Sequence, residues 1–413
     1  MYDLVCTPKV QISFFGTLLL AGFFFGSIFL VRLGDIIGRK KVVVVSTLVS
    51  SVCLVGILLS PSLITLFVCI FIFGLTCGPR GLSFVYALEL TTSEYEVVYS
   101  TVALAIDATC MLILGLYFYF FKSMIPLLVF LTVVQTLAIS LVALNAPESP
   151  KFLHDKGDTE GFIRALLRIA HVNKKDLNLN ELHNFTLNTT RSNFDTINEE
   201  EAETTLSQDN DHELEEQQKL GMRYMIKNRP MLLNTVALTV AWAVSSYSFY
   251  FIEFYMKYVP VDSIYLLAML IGVSDVAASI AFRGLIQYVS SKKIILFSYL
   301  GLALVSLVFA LIMWVMSPLS SKEKLILTVF IFVMRLFSST SFIGVYYANN
   351  EYFPALFKGG IFAVTNIGAR LSAALSPLIA EGMNNPAITI AIAGSIAFGT
   401  TSMLQKQIEG QKK

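Results

Sequence analysis

Histidine is missing from every apolar stretch of this 413-residue sequence. All four, His154, His171, His183 and His212, fall in one polar segment. The apolar runs therefore offer no His pair for a metal ion and no imidazole base for a nucleophile. Cysteine is scarce as well. Cys6, Cys53, Cys69, Cys77 and Cys110 have no metal or redox spacing, and four of them lie in apolar runs, where a thiol behaves as a small hydrophobe. Charge is the third shortage, at 14 % of residues against roughly 25 % in an ordinary soluble chain. A net charge of +1 marks no nucleic-acid partner. A soluble enzyme is excluded on these grounds, and no cofactor is implied. The first apolar run is too long for a cleavable signal peptide and ends in a basic cluster rather than in small residues.

Apolar side chains, by contrast, make up 55 % of the sequence. A helix that crosses a bilayer needs about 20 of them in succession. Stretches near 11–31, 42–60, 63–88, 97–121, 124–145, 231–256, 263–285, 293–316, 325–349, 359–381 and 386–404 qualify. Basic residues sort them by side. With the turn at 32–41 placed inside, the inner loops collect Arg32, Arg39, Lys40, Lys41, the basic residues between Lys151 and Arg229, Arg283, Lys292, Lys293, Lys358 and the tail lysines. The outer loops collect Lys9, Lys122, Lys257, Lys322 and Lys324. The bias predicts an outer N-terminus and an inner C-terminus, and an odd number of spans agrees.

The expected fold is an all-α polytopic membrane protein with about eleven transmembrane helices in two bundles. The first bundle covers residues 1–153 and the second 230–405, with a cytoplasmic loop at 154–229 and a tail at 406–413. Within the loop, residues 161–170 read as an amphipathic helix. Residues 178–218 are acidic and too polar to offset the entropy of ordering. Two glycosylation sequons there, at Asn184 and Asn188, are expected to stay unmodified on the inner side.

Four motifs carry a resemblance. The turn Arg32-Leu33-Gly34-Asp35-Ile36-Ile37-Gly38-Arg39-Lys40-Lys41 is similar to the loop signature of the major facilitator superfamily, matching at Leu33, Asp35, Gly38, Arg39 and Lys40. Any short inner loop also collects Lys and Arg, so the turn alone is moderately specific. Ala146-Pro147-Glu148-Ser149-Pro150-Lys151 resembles the sequence after the sixth helix of sugar porters and organic-ion transporters. Asp3-Leu4-Val5-Cys6 and the stretch from Tyr347 to Pro354 resemble the organic cation, anion and carnitine branch. The second half repeats the first with a degraded turn, in which Tyr288 replaces the carboxylate and Ser291 the glycine.

The resemblance implies two halves rocking about a midplane site in the plasma membrane. It implies a small organic solute as partner, with a proton or sodium ion as a candidate for coupling. It also implies that the family's first helix lies ahead of this sequence, and a late start is the favoured explanation. Asp35, Gly38, Arg39, Lys40, Glu89, Glu148 and Glu351 would form an inner charge network that holds the halves together. A sugar porter and a non-transporting relative remain as rivals.

Ionisable groups inside spans are costly and usually face a partner or a wet cavity. They are Arg80, Asp107, Glu253, Asp275, Arg335 and Arg370. Arg80 and Asp107 sit on neighbouring spans and can neutralise each other. Glu253, near an outer end, reads as a snorkelling surface residue. In the organic anion and carnitine transporters an Arg stands where Arg370 does, so the resemblance implies a carboxylate or sulfate held there, with a structural ion pair as the other reading. Arg335 and Asp275 are further solute contacts or partners of each other. Tyr247 and Tyr250, whose hydroxyls need partners, complete the expected solute site.

Overall fold

A computed structural model describes residues 8–175, 228–315, 321–353, 355–383 and 385–405. The motif at 3–6, the acidic part of the central loop with its sequons, the Asp107 side chain and the tail at 406–413 lie outside the described residues. The Arg80–Asp107 pairing therefore lies outside them too.

Six helical elements make the first bundle: α1 (Lys9–Ile37), α2 (Arg39–Leu59), α3 (Leu63–Cys77), α4 (Arg80–Glu89), α5 (Ser93–Phe121) and α6 (Met124–Asn145). Two short helices follow on the inner side, α7 (Pro150–Asp155) and α8 (Thr159–Val172). The second bundle holds α9 (Arg229–Tyr255), α10 (Ile264–Leu285), α11 (Ser291–Val315), α12 (Ser321–Glu351), α13 (Ala355–Gly382) and α14 (Ala387–Ser402). Among the described residues nine helical segments are long and apolar enough to span a bilayer, and α3 and α4 count as one of them. Two shorter apolar helices, Thr109–Phe121 and Ala387–Ser402, lie where the remaining spans were expected.

The breaks between helices follow backbone chemistry. Gly38 alone separates α1 from α2, at a φ of 114° that suits glycine and strains other residues. Pro79 has no N–H to donate and divides α3 from α4. Ser62 and Ser263 accept from backbone N–H groups of Thr65 and Leu266, which caps α3 and α10. Asp158 caps α8 through Gly161 N at 2.8 Å. Large apolar side chains point outward along the spans. Leu144 is 78 % exposed and Trp314 80 %, an arrangement that suits lipid and not water.

The interiors of the two bundles differ. The second is packed around the fully buried Trp242, Tyr299, Phe251 and Phe309. Hydroxyl rungs tie its helices. Tyr299 donates to the Ala241 carbonyl at 2.5 Å, Ser245 bonds Ser341 at 2.9 Å and Ser248 bonds Ser338 at 2.8 Å. Such bonds between membrane helices contribute about 0.6 kcal/mol each. The first bundle relies on close backbones, with Gly22 and Gly26 of α1 lying against the Phe71 and Leu75 carbonyls of α3. Gln135 of α6 reaches Ser50 at 2.8 Å and the Thr47 carbonyl at 3.1 Å, fastening α6 to α2.

Two seams join the bundles, α1 against α13 and α5 against α10. The close contacts sit towards the outer side as assigned by the charge bias. At Gly16 an added Cβ would stand 2.5 Å from the Phe254 ring and 2.8 Å from Pro377. On the other seam, a Cβ added at Gly115 would lie 2.7 Å from Met269, and one at Gly272 2.9 Å from Leu112 N.

Candidate functional site

Charged side chains gather at several places among the described residues. The inner group centres on Arg39, the first residue of α2. It pairs with Glu89 at the end of α4 and stands 3.6 Å from Asp35 one turn back. Ser149 caps α7 and donates to Glu89 at 2.6 Å. Glu148 accepts from Lys40 N at 2.9 Å and from Ser149 N at 3.0 Å. A Cβ on Gly38 would lie 2.5 Å from the Glu148 carboxylate. Gly38 is thus required twice, by its φ and by the carboxylate resting on it.

Arg39's partners, Asp35 and Glu89, belong to its own bundle. The network expected to bind the halves together here braces the first half internally. Glu351, its counterpart in the second half, accepts a hydrogen bond from Ser291. The turn that looked degraded has thus kept a donor for the acid at the end of its partner helix. The serine of the Pro-Glu-Ser-Pro motif was the available signal for Ser149, since Ser before Pro suits an N-cap.

Removing one partner from a desolvated ion pair costs about 3–5 kcal/mol. Arg39 and Glu89 keep only 15 % and 10 % side-chain exposure. Arg39→Ala is expected to lower initial uptake at least roughly tenfold, less than that energy allows, while surface expression measured by biotinylation stays near wild type. Uptake at the wild-type rate would dismiss the network from the transport cycle.

A second group lies inside the second bundle. Arg335 of α12 has no exposed side-chain surface. Its Nε and Nη2 grip both oxygens of Asp275 on α10, at 2.7 and 2.8 Å. Nη2 also donates to Glu253 of α9 at 2.9 Å, and Nη1 to the Phe249 carbonyl at 2.6 Å. The Phe249 ring lies 3.4 Å from the guanidinium carbon. Arg335 and Asp275, expected as solute contacts or as partners of each other, form an ion pair. Glu253 is not a snorkelling residue, because it faces this buried guanidinium rather than the lipid surface. Tyr247 is drawn inward too, bonded to Thr389 of α14 and packed on Phe251.

Arg370 of α13 is different. Its guanidinium lies 4.0 Å from the Phe23 ring of α1, so it sits at the junction of the two bundles. Its Nε is buried without a hydrogen-bond partner. Tyr250 of α9 stands beside it, with Tyr346 of α12 close by. Tyr346 in turn packs against Trp242 and Phe362. One turn earlier on α13, Asn366 Oδ1 is also buried without a partner. Residues four apart share a helix face. A free donor and a free acceptor therefore stand together where the bundles meet. The spacing of Asn366 from Arg370 was the signal that the sequence offered for this pair.

A family model for the Major Facilitator Superfamily matches residues 5–377. The chain belongs to that superfamily. It is therefore an integral, multi-pass membrane protein of the transporter class. The structure is similar to the partially occluded inward-open conformation of the xylose transporter XylE from E. coli, with a TM-score of 0.66 at 13 % identity, over 98 % of this chain and 89 % of that one. It resembles the inward-open conformation of the same transporter with a TM-score of 0.62 at 12 % identity, over 100 % and 89 % of the two chains. The proton:xylose symporter XylE bound to 6-bromo-6-deoxy-D-glucose matches with a TM-score of 0.60 at 14 % identity, over 95 % and 85 %. At these identities the likeness is one of fold. No curated protein matches the sequence.

Proposed function

We propose that this member of the superfamily carries a small organic anion or zwitterion by alternating access and holds the acidic group at Arg370. The supporting observation is the buried Nε of Arg370, left without a partner at the bundle junction. A guanidinium binds carboxylate or sulfonate through paired, charge-assisted hydrogen bonds. Phe23, Tyr250 and Tyr346 around it supply aromatic faces and hydroxyls for the rest of the solute.

A sugar porter is the second reading. The structural neighbours named above favour it, since all are forms of one xylose transporter. The glutamines of this chain support it less. Gln135 is committed to α2, and Gln287 lies in the exposed turn after α10.

Uptake into proteoliposomes separates the readings, with labelled benzenesulfonate and D-xylose as probes. Benzenesulfonate uptake is expected, and Arg370→Ala should reduce it by roughly 10- to 100-fold, the loss of about 1.5–3 kcal/mol for a hydrogen bond to a charged group. Arg370→Lys should recover part of it. Uptake of D-xylose alone, unaffected by Arg370→Ala, would replace the anion reading by the sugar one.

A further inference from the structure

The amphipathic helix α8 has one face that solute transport does not explain. Gly161, Ala165 and Ala170 are buried, whereas Arg164, Arg168 and His171 are exposed, spaced by four and three residues along one side. Lys174 and Lys175 extend the basic surface past the end of the helix, and both are exposed. Two of the three acids nearby are engaged. Asp158 caps α8, and Asp155 stands 3.7 Å from His154. The third, Glu160, lies one turn before Arg164, whose Nε donates to its backbone oxygen at 3.3 Å. Among the described residues neither Arg164 nor Arg168 has a carboxylate partner.

Arg168 is fixed at a particular depth. Its Nε donates to the Asn145 carbonyl at 3.3 Å, at the inner end of α6. Along α6 runs a stripe of exposed side chains, Phe130, Val134, Leu137, Leu141 and Leu144, at steps of three and four residues. The stripe ends one residue before the carbonyl that holds Arg168. Its neighbour α2, fastened to α6 through Gln135, carries a matching stripe of Val45, Val52 and Leu59. Exposed Lys41 stands at the inner end of that stripe. Val172, one turn beyond Arg168, is 66 % exposed and sets an apolar side chain beside the guanidinium.

Cations at the inner ends of lipid-facing stripes stand where phosphate headgroups lie, and basic residues there attract anionic lipid. A guanidinium binds phosphate through paired, charge-assisted hydrogen bonds. We propose that the inner ends of α6 and α8 hold an anionic phospholipid of the inner leaflet. Its phosphate sits on Arg168 and Arg164, and its acyl chains lie along the exposed stripe of α6. Lys41 adds positive charge at the head of the neighbouring stripe. The site is independent of which solute the protein carries. A soluble acidic segment would use the basic face alone. The seating of Arg168 at the end of an apolar stripe, with Val172 exposed beside it, favours a lipid.

Native mass spectrometry of the full chain tests the site, with dioleoylphosphatidylglycerol and dioleoylphosphatidylcholine as probes. The two share their acyl chains and differ in headgroup charge. Phosphatidylglycerol should bind first and tighter. Arg168→Gln should weaken it roughly fivefold, and Arg164→Gln together with Arg168→Gln roughly 25-fold. Arg168→Lys should keep most of the binding, and Lys122→Gln, exposed on the outer side, should keep all of it. Equal binding of the two lipids, or a preference that survives the double variant, overturns the proposal. Displacement of the lipid by an equal concentration of glycerol 1-phosphate would make this a site for soluble phosphate, which also overturns it. A preference that emerges only after deletion of residues 195–216 would give the face to the chain's own acidic stretch in place of lipid.

Discussion

Tryptophan in place of Gly16 is expected to stop transport. The Phe254 and Pro377 rings stand 2.5 and 2.8 Å from the position of a Cβ there, so a methyl group needs the Phe254 ring to shift and a bulky side chain does not fit while the α1–α13 seam is closed. Overpacking a close contact costs about 1–3 kcal/mol, and the indole belongs at the upper end. At that cost the outer-closed arrangement becomes roughly 100-fold rarer. Uptake should fall accordingly. A cysteine placed at Thr17, in a background without the native cysteines, should react with a membrane-impermeant maleimide from outside in the Trp variant and stay protected without it. Gly16→Ala should have a far smaller effect. Wild-type uptake by Gly16→Trp would show that this seam need not close.

The second large effect is on stability. Arg335→Ala strands Asp275 and Glu253 beside each other with no guanidinium between them. Deleting one partner of a buried ion cluster costs about 3–5 kcal/mol, because the remaining charges stay desolvated. The detergent-solubilised variant should melt well below the wild type. Replacing all three groups, Arg335→Met with Asp275→Leu and Glu253→Met, should return most of the lost stability, since an apolar cluster of similar volume carries no ionic desolvation penalty. Equal melting temperatures for the single and triple variants would mean that the charges are not what ties α9, α10 and α12 together.

The parts of the molecule visible in the sequence are those governed by local chemistry. Spans follow from hydropathy, sidedness from lysine and arginine, and the reversal at Gly38 from a conformation glycine favours. Those rules act within a turn or two of helix. The Pro-Glu-Ser-Pro run behaved the same way, because a capping serine and an N-terminal proline act on neighbouring backbone. What the sequence hid depends on contacts across the fold. Glu253 looked like a lipid-facing acid, since its guanidinium partner lies 82 residues on. Arg335 and Asp275 had two readings of equal merit, and which one holds depends on whether α10 and α12 turn those side chains towards each other. Ser291 looked like erosion until Glu351 was found above it.

The triad of Arg335, Asp275 and Glu253 also constrains how the protein is made. Ribosomes deliver α9 first, so Glu253 reaches the membrane 82 residues ahead of the arginine that will neutralise it, and Asp275 follows 60 residues ahead. Through that interval the two acids lack the cation that pairs with them in the folded bundle. Only when α12 emerges can the second bundle lock. Closure of the α9–α10–α12 cluster therefore waits for α12, and a chain truncated before Arg335 carries both acids with no guanidinium to pair them.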